Sequence, residues 1–175
     1  MNLPNAITVA RVVLVPVFLL FAFGDSDSAR VTAFVVFLVA SLSDLIDGYL
    51  ARKNDQITRL GQFLDPTADK LLVGAALVAL VVERRFPLWA AVILGVREVA
   101  VQILRTSIVN SGGTLPASPV AKAKTFVQIG LVSWWLLPWN GINVGHGVLL
   151  GVALVTSVIS GTEYFAATRR VRTSG

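Results

Sequence analysis

Six long apolar runs alternate with short polar breaks along the 175 residues of this chain. The runs cover roughly Ile7–Phe23, Val31–Leu50, Leu60–Val82, Pro87–Val109, Val120–Pro138 and Val144–Ala167. Between them stand GDSDSAR, KNDQIT, ERRF, NSGGTLPASP and NGIN, stretches rich in charge and turn formers. A bilayer-crossing helix needs about 20 predominantly apolar residues, and each run comes close to that length. The pattern predicts an all-α integral membrane protein with six transmembrane helices. No repeat, low-complexity tract or long linker divides it, so residues 1–175 are expected to form a single domain. Ahead of the first run, Asn2-Leu3-Pro4-Asn5 suggests a short interfacial helix or turn, with Asn5 or Thr8 expected to cap the first span.

Composition supports the membrane. The chain is 55% hydrophobic and only 14% charged, with a mean hydropathy of +0.75; soluble domains carry about 25% charged residues. There is no cysteine, which excludes disulfides and thiolate metal sites. A net charge of +5 would suit nucleic acid. In a membrane chain it fits a basic cytoplasmic rim facing anionic headgroups, and no nucleic-acid partner is expected. Met1 to Pro4 lacks a basic region and no small-residue cleavage site follows the first run, so no cleavable signal peptide is expected.

Lys and Arg set the orientation. With the N-terminus inside, the loops after the first, third and fifth runs are external, and they and their flanks hold only Arg30, Arg84 and Arg85. The other side collects Arg52, Lys53, Arg59, Lys122, Lys124, Arg169, Arg170 and Arg172, with Arg11 in the inner half of the first run. Both termini are therefore expected in the cytoplasm, on the inner face of the cell's inner (plasma) membrane.

Against this background the segment from Ser43 to Lys70, SDLIDGYLARKNDQITRLGQFLDPTADK, stands out for its acids. Asp55 falls in a polar loop and reads as a solvated turn residue. Asp44 and Asp47 are spaced i,i+3, and Asp65 and Asp69 i,i+4, so each pair shares one helix face. The short loop between the second and third runs makes them antiparallel neighbours. Both pairs then lie roughly 6–12 Å below the cytoplasmic rim at 1.5 Å per residue. Two bare carboxylates about 5 Å apart repel by about 3 kcal/mol even at an effective dielectric near 20. Protonation, or pairing with Arg52 and Lys70, would relieve the repulsion, but a divalent cation does so better. Four carboxylates with no His or Cys nearby favour Mg²⁺ or Mn²⁺ (or Ca²⁺) over zinc. They have room for two ions about 4 Å apart, an arrangement suited to phosphoryl transfer. Gly48, Ala51 and Gly61 would let a nucleotide approach the backbone beside them; close helix packing is their other use.

Asp44-x-x-Asp47-Gly48-x-x-Ala51-Arg52, eight more residues, then Gly61-x-x-x-Asp65-x-x-x-Asp69 resembles the signature of the CDP-alcohol phosphatidyltransferases, with every fixed position filled. LPNAITVAR, RLGQFLDPTADKLLV, VREVAVQILR and SPVAKAKTFVQ extend the likeness toward the branch whose acceptor is sn-glycerol 3-phosphate. Ala121 departs from the glycine common there before the first lysine. The resemblance implies six transmembrane helices around a cytoplasm-facing polar cavity, in a homodimer among membrane lipids. It implies transfer of a phosphatidyl group from CDP-diacylglycerol to the acceptor, releasing CMP, with two Mg²⁺ or Mn²⁺ ions. By position, Asp44 and Asp65 would bridge both ions, Asp47 completing one and Asp69 the other. Asn5, Thr8, Gly48, Arg52, Thr58 and Gly61 would contact CDP-diacylglycerol. Asp69 is also the candidate base for the acceptor hydroxyl.

An acceptor that carries a phosphate needs a second basic site. Arg105, in the fourth run, and Lys122 and Lys124, at the start of the fifth, flank one cytoplasmic loop. Helical spacing lets only one of the two lysines reach a cavity. Arg97 and Glu98 lie deeper, placed to pair with each other or with a neighbouring helix. His146 falls near the external end of the last run, beside Trp134, Trp135 and Trp139, which read as headgroup anchors. Two rival readings remain: the same chemistry with phosphatidylglycerol (as in a cardiolipin synthase) or inositol phosphate as acceptor, and a cation or proton transporter. The second is weak, because Val31–Val39 and Leu72–Val82 offer almost no polar path.

Overall fold

The computed structural model describes the backbone of residues 3–53, 59–110 and 118–173, and the side chains of 13–43, 70–108 and 118–166. Among the described residues are six α-helices and no strand: α1 (Leu3–Ala22), α2 (Asp27–Lys53), α3 (Arg59–Val82), α4 (Leu88–Asn110), α5 (Pro119–Leu136) and α6 (Val144–Thr173). Each matches one apolar run, and the differences at the ends have local causes.

Three starts are set by caps. Ser26 Oγ accepts the Ala29 N–H at 3.2 Å, so α2 begins at Asp27, ahead of its apolar run. Ser118 Oγ accepts the Ala121 N–H at 3.1 Å, and Pro119 takes the first helical position, where its missing N–H costs nothing. In α6, His146 occupies the third position; its Nδ1 accepts the Asn143 N–H at 3.1 Å, and its own backbone N–H donates to Asn143 O at 3.0 Å. The sole histidine thus has a structural task at the helix start.

The expectation for the first span is corrected here. Asn5 and Thr8 lie inside α1, which starts at Leu3, so neither is its N-cap. Pro4 in the first turn gives up only a donor that has no partner within the helix.

The end of α3 is a two-bond reversal. Arg84 N–H donates to Val81 O and Arg85 N–H to Leu80 O, both at 2.9 Å, with Arg84 at φ 55° in the left-handed region.

The chain forms two compact units. The first comprises Met1–Phe86 and Val132–Gly141. In it α1 packs on both α2 and α3, more extensively than those two pack on each other. Val15, Phe18 and Ala22 of α1 form one buried stripe; Ala33, Phe37 and Ala40 of α2 form another. Phe18 and Phe37 meet with ring centroids 6.0 Å apart. Phe86 and Trp135 meet edge-on at 4.7 Å. The turn from α1 to α2 is tight at Gly24, where a Cβ would stand 2.5 Å from that of Ala29.

The second unit comprises Pro87–Leu131 and Ile142–Gly175, with α4 packed on α6. Ala153, Ser157, Ser160 and Tyr164 form the buried stripe of α6.

Outward faces are apolar in both units. Val31, Val35, Val39 and Leu42 are exposed on α2, Val92, Val96, Val99 and Ile103 on α4, and Val148, Val152, Val155 and Ile159 on α6. Meanwhile Ser41, Lys124, Gln128, Ser133, Ser157 and Ser160 are buried. Exposed apolar stripes of this extent are unusual on a protein surrounded by water. Among the described residues one helix, over Val144–Ala166, is long and apolar enough to cross a membrane by length and composition; shorter apolar stretches occupy Val13–Ala22 and Lys70–Val82.

Candidate active site

Continuous helix carries the acid spacings. Asp44, Asp47, Gly48 and Arg52 lie toward the C-terminal end of α2, and Gly61, Asp65 and Asp69 toward the N-terminal end of α3. Asp47 and Asp65 each stand about 9 Å along the axis from their helix ends, and Asp44 and Asp69 about 14–15 Å. The side chains of all these residues lie outside the described part, as do those of Asn5 and Thr8, and Thr58 lies outside the described residues altogether.

The far end of the same unit fixes how the helices run. Arg85, just past α3, is close enough to Arg30, Asp25 and Asp27 at the start of α2 to feel their charges. Burial first, and then Arg30, lower the Arg85 pKa from its ordinary value, while Glu83, Asp25 and Asp27 oppose the shift. Arg85 also pairs with Glu83 at 3.4 Å, and Arg30 with Asp27 at 3.7 Å. The start of α2 therefore lies beside the end of α3. The two touching helices run antiparallel, which brings the end of α2 beside the start of α3. The link from Lys53 to Arg59 can span at most about 20 Å, consistent with that adjacency. A tight turn also joins α1 to α2, so the start of α1, with Asn5 and Thr8, belongs to the same end. Three helices thus bring Asn5, Thr8, Asp44, Asp47, Asp65 and Asp69 to one end of one unit.

Among the described side chains no group of three or more His, Asp or Glu is placed to hold a metal. The donor set at the acid-bearing end is chemically suited to a hard cation: four carboxylates on two antiparallel helices, two at each of two matching depths.

A second polar centre lies in the other unit. Arg97 of α4 donates from Nε to Ser157 O at 3.0 Å and from Nη2 to Ser160 Oγ, both on α6. Arg97 lies against Gly161, where an added Cβ would make an ordinary contact 3.5 Å from Nε. Arg97 Nη1 also donates to Glu98 Oε2 at 3.2 Å. The same oxygen accepts from Lys124 Nζ of α5. Beyond the cap of α5, Ser118 Oγ donates to Glu163 Oε2 of α6 at 2.7 Å. The pairing expected of Arg97 and Glu98 is present, and it extends to two further helices. Of the proposed acceptor cations, Lys124 is buried against Glu98, whereas Lys122 and Arg105 are exposed. Sequence reasoning did not single out Ser157, Ser160 or Glu163. Two serines spaced i,i+3 in the last apolar run were the available signal.

Residues 1–159 match the sequence model of the CDP-alcohol phosphatidyltransferases. The chain belongs to the CDP-alcohol phosphatidyltransferase family. Among its curated relatives, a Pseudomonas fluorescens protein is 48% identical over 89% of this chain and 81% of its own length. A Bacillus subtilis protein is 39% identical over 94% of each chain. One from Rickettsia bellii is 34% identical over 97% of this chain and 96% of its own. All three bear the name CDP-diacylglycerol–glycerol-3-phosphate 3-phosphatidyltransferase.

Proposed function

We propose that this protein transfers the phosphatidyl group of CDP-diacylglycerol to sn-glycerol 3-phosphate, yielding phosphatidylglycerophosphate and CMP. The observation that carries this is the complete Asp44/Asp47 and Asp65/Asp69 spacing on helix ends that the packing of α1–α3 makes adjacent. Family membership and the names of the relatives point to the same reaction.

The protein works as a six-span enzyme of the inner membrane, with its acid-bearing end and both termini in the cytoplasm, as a homodimer. Two features favour embedding: apolar outward faces in both units, and helix lengths of about 27 to 45 Å against a hydrocarbon core of about 30 Å.

Asp44, Asp47, Asp65 and Asp69 would hold two Mg²⁺ or Mn²⁺ ions, which when bound neutralise the diphosphate and the charge developing on CMP. Asn5, Thr8, Gly48, Arg52, Thr58 and Gly61 bind the CDP-lipid. Arg105, with Lys122 or Lys124, takes the acceptor phosphate. The acceptor hydroxyl oxygen attacks the β-phosphorus as Asp69 removes its proton. A new P–O bond forms, the bond to the CMP oxygen breaks, and CMP leaves with that electron pair. Orientation of the two substrates supplies much of the rate.

Purified protein given labelled CDP-diacylglycerol should release CMP only when sn-glycerol 3-phosphate is added. Release with phosphatidylglycerol or inositol phosphate instead would move it to those acceptors. Ion flux without CMP release would make it a transporter. Asp69→Asn should abolish turnover while still inserting into membranes.

A further inference from the structure

We infer that Glu98 is a positioning residue for the acceptor, holding the Lys124 ammonium where the acceptor phosphate meets it. This role rests on the proposed use of Lys124 in phosphate binding and adds the device that places it. A lysine side chain has four rotatable bonds and gives no direction of its own. Here the ammonium is tied to Glu98 Oε2 and the side chain is only 8% exposed. Glu98 is itself held, because Arg97 binds the same oxygen. Arg97 in turn is anchored to the backbone and a hydroxyl of α6, at Ser157 and Ser160. Fixation therefore passes from α6 through Arg97 and Glu98 to a lysine on α5.

The charges fit this role. Glu98 Oε2 accepts from both Arg97 and Lys124, so one carboxylate oxygen joins the two cations. The helix register fits too. Glu98, Gln102 and Arg105 follow one another at i, i+4 and i+7 on one face of α4, away from the exposed stripe of Val92, Val96, Val99 and Ile103. Arg105, the other cation proposed for the phosphate, thus stands two turns, about 10 Å, along the same face. Lys122 is exposed and lacks that tether.

The test is a double-mutant cycle on the full-length purified enzyme, with Glu98→Gln, Lys124→Met and both together. Measured quantities are kcat, KM for sn-glycerol 3-phosphate, KM for CDP-diacylglycerol and the unfolding midpoint. Glu98→Gln is expected to raise the acceptor KM on the order of tenfold, leave the KM for CDP-diacylglycerol alone, and add nothing once Lys124 is methionine. The same rise in the Lys124→Met background would overturn the positioning role. So would a parallel loss of kcat and rise in both KM values. If Lys124→Met itself leaves the acceptor KM unchanged, the phosphate assignment of Lys124 fails instead. Glu98→Asp keeps the charge but withdraws it by one methylene, and should fall between wild type and Glu98→Gln. If Glu98→Gln does not accumulate, Glu98→Asp serves in the same cycle with the same outcomes.

Discussion

Alanine at position 24 and alanine at position 74 should move stability in opposite directions. At Gly24 the added Cβ would lie 2.5 Å from the Ala29 Cβ and 3.2 Å from Phe21 O. Carbon atoms in contact prefer about 3.5–4.0 Å, so the deficit is about 1 Å. Neither neighbour is the tip of a flexible side chain. Relief requires the first turn of α2 to back away from the end of α1, disturbing the Ser26 cap. Overpacking of this kind costs about 1–3 kcal/mol. For a chain of this size each kcal/mol is worth about 2–4 °C, so the midpoint should fall by about 2–12 °C. At Gly74, within α3, an added Cβ meets nothing within 4 Å. Alanine there gains helix propensity of about 0.5–1 kcal/mol and should raise the midpoint. Thermal unfolding of the detergent-solubilised variants, followed by tryptophan fluorescence, reads both. A Gly24→Ala midpoint at or above wild type would refute the close approach of α1 to α2.

Arg84→Gly removes the cost of a left-handed arginine and should stabilise the protein by about 1 kcal/mol without altering CMP release; a lower unfolding midpoint would contradict the turn geometry. Arg97→Lys cannot reach Ser157 O, Ser160 Oγ and Glu98 together and should lose about 2–4 kcal/mol, read as a lower midpoint in the same assay. Ser118→Ala loses both its cap and its bond to Glu163, costing about 1 kcal/mol. Faster hydrogen exchange in the first turn of α5 is its expected signature. Thorough chelation should stop CMP release and added Mg²⁺ or Mn²⁺ restore it; turnover that persists in chelator would remove the metal from the reaction.

Helix number and most boundaries were legible because the apolar runs are long and their breaks carry charge. The starts of α1 and α2 were not, because hydropathy is blind to capping. Ser26 begins α2 within a stretch that reads as loop, and Pro4 lets α1 start before the residues that resemble its caps. The run of Arg169, Arg170 and Arg172 hid the last turns of α6, since a helix continues after its hydrophobicity stops. At the site, the acid spacing was readable because both members of each pair share one helix. Arg97 and Glu98 were readable as neighbours. The tie between Glu98 and Lys124 joins residues on different helices, and nothing local in either segment announces it.

The unequal packing of α1, α2 and α3 has a consequence for how the two acid-bearing helices are held. The acid-bearing helices are held together chiefly through a third helix wedged along them, so α1 works as a shim. Its inward side chains, Phe18 above all, set the spacing of α1 from α2 at the opposite end of the unit. Bulk added or removed there would shift α2 and α3 by leverage, at the end of the unit away from the four aspartates.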